Sequence, residues 1–169
     1  DHAFDGCAAL REIQIPDSVT YLGAFAFQDC TALKTIGLPD SITAIKEYTF
    51  HNCAALETIE LPDRIRSIGF HAFSYCENLR SIKLPARLKE IGGTVFTGCG
   101  NLKSICIPKS LQSAGTYTSF QYGAFYNSGL ETATFEEGTT CVVANLFRGA
   151  DKLNSVTLLD TMTSVGANA

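Results

Sequence analysis

The chain has no long apolar run, no excess of basic charge and none of the short motifs that announce catalysis. No window of its 169 residues approaches the ~18 uninterrupted apolar residues of a spanning helix, so no membrane insertion is expected. Lysine and arginine number 13 against 17 acidic residues, for a net charge of −4. A nucleic-acid binder needs a basic stripe, and none is present. The N-terminus carries no basic and then apolar leader. Gly-x-Gly-x-x-Gly, P-loop, Gly-x-Ser-x-Gly and His-Glu-x-x-His are all missing. Carboxylates such as Glu57 and Glu60 stand singly on strand positions, so catalysis is not expected. There is no Asn-x-Ser/Thr acceptor for a glycan. No Cys-x-x-Cys occurs either, so neither a metal nor a cofactor is expected.

What the sequence does have is a period. Phe4, Phe27, Phe50, Phe73 and Phe96 stand 23 residues apart. So do Cys7, Cys30, Cys53, Cys76 and Cys99, and so do Pro16, Pro39, Pro62, Pro85 and Pro108. Between them run the columns of Leu33 and Ile36. A fixed period of this length is the mark of a solenoid, in which each repeat buries its apolar face against the next.

Within a repeat, Leu-x-x-Ile-x-(Ile/Leu) ends in two-residue alternation, which predicts a short half-buried strand such as 33–38. Pro39 has no amide hydrogen and stops it. Ile42 and Ile45 return the chain along the far side, and Ala26 to Asp29 reads as a single helical turn.

Regularity holds over 1–115 and breaks at 116–123, where six residues are inserted, including Tyr117, Phe120 and Tyr122. Residues 124–169 form two degraded units, with Glu136 and Leu159 in the Pro position. Insertions in solenoids map to one face, often the binding face. All of 1–169 reads as one domain of about seven repeats. Both ends fall inside a repeat and neither reads as a cap, so a longer array is expected. Such ends offer strand edges and apolar side chains, and self-association through them is a further expectation.

The consensus carried by Leu10 to Cys30 resembles the BspA-like leucine-rich repeat. That resemblance implies a leucine-rich-repeat solenoid, a right-handed α/β-type superhelix rich in β, with short parallel strands forming a concave sheet. It also implies a cell-surface or secreted protein that adheres to extracellular-matrix, host or cell-surface proteins. The alternative is a spacer that only projects another domain.

Strand alternation places Gln14, Glu60, Lys83, Cys106, Thr134 and Thr157 on the outer face of that sheet. Lys34, Arg80 and Lys103 edge it with mostly positive charge that would steer an acidic partner. These nine residues, with the Tyr117–Tyr122 loop, are the candidate partner-binding set. The ladder cysteines read as buried, reduced and small rather than redox-active, since Ser128 and Ala150 share their column. Cys106 should be the reactive thiol. His2 and His71 share a column with Phe25 and Tyr48, whereas His51 does not, so no two histidines are expected to meet at one metal or to serve one nucleophile. The aromatic column itself reads either as cover for the core edge or as a stripe for a partner.

Overall fold

A computed structural model describes residues 1–115 and 122–169. Thirteen short strands follow one another in these residues: β1 (Glu12–Gln14), β2 (Thr35–Gly37), β3 (Ala44–Ile45), β4 (Thr58–Ile59), β5 (Ser67–Ile68), β6 (Ser81–Ile82) and β7 (Glu90–Ile91). After them come β8 (Ser104–Ile107), β9 (Ser113–Ala114), β10 (Thr132–Phe135), β11 (Cys141–Val142), β12 (Ser155–Val156) and β13 (Ser164–Val165).

They sort into two parallel rows. The expected row is built from the ladders β1-β2, β4-β6 and β8-β10-β12, one strand per repeat. Its register is the sequence period, with Ile13 opposite Ile36 and Ile59 opposite Ile82. The returning segment forms a second row, β3-β5-β7-β9 and then β11-β13, in which Ile45, Ile68 and Ile91 point inward in step. Two residues per strand are too few for the alternation from which a strand is read.

A third side also joins the coils through backbone hydrogen bonds. In the sheets, amides donate both back to the preceding coil, as Lys34 N to Arg11 O at 2.8 Å, and forward, as Ile15 N to Gly37 O at 3.0 Å. On the third side they donate forward, as Phe50 N to Ala72 O at 2.9 Å. The segment read as a helical turn lies here. It is a run of reverse turns instead, because left-handed residues bracket it. Phe25 and Asp29 have φ of 57° and 56°, and the following repeats repeat this at Tyr48 and Asn52 and at His71 and Tyr75. An L-residue pays about 1 kcal/mol for that conformation, and no α-helix continues through it.

The core is a set of columns. Seven phenylalanines stack from Phe4 to Phe147 with ring centroids 5.1–5.8 Å apart. The insertion leaves this stack unbroken, since Phe96 and Phe125 are 5.2 Å apart. Pro39, Pro62 and Pro85 each accept a hydrogen bond from the amide three residues on. Glu136 and Leu159 accept the same bond from Thr139 and Met162, so losing the proline does not lose the turn. At the C-terminal end Val156, Leu158 and Val165 are exposed.

Candidate functional site

Every member of the expected partner-binding row is exposed: Gln14, Lys34, Glu60, Arg80, Lys83, Lys103, Cys106, Thr134 and Thr157. The strands hold them in one surface. Gln14 stands opposite Gly37 across β1 and β2, and Cys106 stands opposite Thr134 across β8 and β10. Glu60 and Lys83 follow the paired strands β4 and β6 by one residue. Beneath them Ile59, Ile82 and Ile105 are buried.

The rim is less positive than its cations alone imply. Arg80 lies 3.7 Å from Glu57 and Lys103 lies 3.0 Å from Glu131. Such exposed pairs contribute little stability, but they cancel the far field of two of the three expected cations. Of the candidate loop, Tyr117 and Phe120 lie outside the described residues. Tyr122 is partly exposed, and its ring stacks on Tyr126 at 4.0 Å.

The cysteine column has a role beyond being small. The thiols of Cys30, Cys53, Cys76 and Cys99 donate to the carbonyls of Phe4, Phe27, Phe50 and Phe73 at 3.1–3.2 Å. Each thus satisfies a buried acceptor of the preceding repeat. Burial pushes the Cys30 thiol up to about 11 and Cys99 up to about 12, and raises Cys53 and Cys76 as well. Thiolates are the reactive form, so these groups are inert. A thiol reagent should therefore modify Cys7 and Cys106, both exposed, in the native chain. It should reach Cys30, Cys53, Cys76 and Cys99 only on unfolding. Mass spectrometry of the native labelled chain checks this, and rapid labelling of Cys76 would contradict it.

His51 and His71 lie edge to face, with ring centroids 6.0 Å apart, a contact that the column alignment does not supply. Left-handed Tyr48 and Asn52 flank His51, and its ring reaches the next coil, where it also meets Tyr75 at 5.5 Å. His71 Nδ1 lies 2.6 Å from Ser74 Oγ, whose proton goes to Thr94 O at 2.7 Å, so Nδ1–H is the donor. Desolvation lowers both histidines, with His71 pushed down to about 4 partly by His51. Among the described residues no group of three or more His, Cys, Asp or Glu gathers to hold a metal. Above this pair the aromatic column is a true stack: His2 on Phe25 at 4.6 Å, Phe25 on Tyr48 at 4.9 Å, Tyr48 on His71 at 5.0 Å. Phe25, Tyr48 and His71 are only partly exposed.

Parallel coils of one strand-turn-strand unit, stacked on apolar columns in a 23-residue period, define a leucine-rich-repeat solenoid. The chain belongs to the BspA-type leucine-rich-repeat family, whose family model matches in six copies over residues 1–123 and 118–169. It is similar to the crystal structure of a T. pallidum leucine-rich-repeat protein, at 29% identity and a TM-score of 0.72 over 92% of this chain and 72% of that one. It is also similar to a leucine-rich-repeat protein of Bacteroides ovatus, at 25% identity and a TM-score of 0.55 over 99% of this chain. A leucine-rich cell surface protein of Faecalibacterium prausnitzii shares 27% identity and a TM-score of 0.57 over 88% of this chain. The chain spans 66% of the B. ovatus protein and 48% of the F. prausnitzii protein. Comparison with curated proteins finds no match. Repeats of this family typically serve as protein-interaction or adhesion modules and are generally non-enzymatic. Among the described residues no helix is long and apolar enough to cross a membrane.

Proposed function

We propose that the chain is a non-enzymatic interaction module, one repeat domain of a longer array in a secreted or surface-held protein. It binds an extracellular-matrix or cell-surface protein across the outer face of the first sheet. The observation that carries this reading is the contrast between the two sides of that sheet. Beneath it Ile36, Ile59, Ile82 and Ile105 repeat one residue type and are buried, whereas the row above reads Gln14, Gly37, Glu60, Lys83, Cys106, Thr134, Thr157. A rigid floor that displays unlike side chains at fixed spacing suits recognition by many modest contacts.

The test immobilises the chain against matrix and cell-surface extracts, beside a variant with Gln14, Glu60 and Lys83 changed to Ala. All three are exposed, so folding should be unaffected, and circular dichroism checks it. Retention of a specific protein partner should fall at least ~10-fold in the variant, the scale of losing one or two well-placed contacts. Equal retention would move the partner off this face. Retention by neither chain would leave the spacer as the better account.

A further inference from the structure

A trough of about 570 Å³ runs along the second row of strands, on a different face from the proposed protein surface. Its floor is bare because two coils pass too closely for any side chain. A Cβ on Gly69 would lie 2.5 Å from Glu47 N, and one on Gly92 would lie 2.6 Å from Phe70 N. Along one wall stand Ser67, Glu90 and Ser113, the outward residues of β5, β7 and β9, in direct register. Tyr48 and Phe70 line the other.

Phe70 is the feature that the repeat does not explain. Its column reads Asp1, Ala24, Glu47, Phe70, Gly93, so no core position demands a large apolar ring there. The ring is partly exposed and is fixed edge-on by His71 at 4.0 Å and by Tyr48 at 5.9 Å. A rigid aromatic facing a concavity, beside a few placed polar groups, is the usual make-up of a small-ligand site, and the volume is within the usual range.

The polar groups narrow the ligand. Backbone amides are already used between coils, as Gly69 N on Ile45 O and Gly92 N on Ile68 O, both at 2.8 Å. An extended peptide adding main-chain bonds finds no free edge here. What remains is the hydroxyls of Ser67, Ser113 and Tyr48, carboxylates at Glu47 and Glu90, an ammonium at Lys46 and an aromatic surface. Charges of both signs favour neither a cation nor an anion. Hydroxyl donors and acceptors beside a ring suit a polyol with apolar C–H faces.

We propose that this trough binds carbohydrate, a short run of linked sugar rings packed on Phe70 with their hydroxyls held by Glu90, Ser67 and Ser113. The site is independent of the first-sheet surface, and either can fail without the other.

Saturation-transfer NMR and titration of the whole chain with cellotetraose, chitotetraose and maltotetraose test it. The variants are Phe70→Ala and Glu90→Ser. Each installs a residue its column already carries, Ala24 in one case and Ser67 and Ser113 in the other, so the coils should stack unchanged. At least one sugar should bind at about millimolar Kd or tighter, and each variant should weaken it about 10-fold. Absence of binding by all three overturns the proposal. So does binding that both variants leave intact, or capture of hexalysine with no sugar bound.

Discussion

Replacing Phe73 by Ala should destabilise the chain by about 3–5 kcal/mol, the range for deleting a fully buried aromatic. Phe73 is 0% exposed and lies between Phe50 at 5.3 Å and Phe96 at 5.8 Å. Truncation leaves a void that the neighbouring rings cannot close, because each is held by its own coil. It also removes two stacked pairs, each contributing about 0.5–1.5 kcal/mol beyond burial. In a solenoid each repeat contacts only its neighbours, so the cost depends on position. Phe4 is partly exposed, and Phe27 at 5.1 Å is its stacking partner in the column. Phe4→Ala should therefore cost clearly less than Phe73→Ala. Denaturant midpoints of the two variants decide this. Equal losses would mean that the chain unfolds as one unit whose stability the phenylalanine stack does not control.

That stack was legible in the sequence because residue type and residue position coincide. Phe, Cys, Leu, Ile and Pro each occupy one column, and burying a column is what stacking does. The first row of strands was legible for the same reason. The second row was not, because Ile45 and Ile68 supply one inward residue each and a two-residue strand has no period to detect. The left-handed positions left only a partial trace. Gly6, Asp29, Asn52, Tyr75, Gly98, Asn127 and Gly149 all have positive φ, and Gly, Asn and Asp there are the residues that tolerate it. The other such column reads His2, Phe25, Tyr48, His71 and Thr94, and only its last members, Asn145 and Asn168, give a warning. Its aromatic rings offset the backbone cost by stacking. The meeting of His51 with His71 follows from those φ values, which no column alignment supplies. The trough was hidden for a related reason: the close approach of Gly69 and Gly92 to the preceding coil appears only in three dimensions.

The histidine pair should make the middle of the solenoid acid-sensitive. His51 and His71 are partly buried, and each lies below the ordinary histidine value, His71 at about 4. Desolvation disfavours both imidazolium forms. The groups that face the pair are Tyr48, Tyr75, Ser74, Asn52 and Asp29, and of these Asp29 alone favours charge, on His51. Asp29 already accepts a 2.8 Å hydrogen bond from Asn52. His51 Nδ1 is buried without a hydrogen-bond partner, so it has no acceptor for an added proton. An unfolded histidine titrates near 6.5, so the unfolded chain takes up protons first as pH falls. Stability is then complete above pH 6.5, declines as pH drops through the window towards 4, and loses no more from His71 below it. After allowance for screening of partly exposed rings, the loss is about 2 kcal/mol. His71→Tyr removes the titrating ring and keeps an aromatic at a left-handed position that Tyr48 already fills in the preceding repeat. Urea unfolding at pH 7 and pH 4.5 should show a loss at least about 1 kcal/mol smaller in the variant, the scale of one pKa unit. Carboxylates titrate equally in both chains, so their contribution cancels in that difference. Identical losses would assign the acid response to the carboxylates and remove the histidine pair from it.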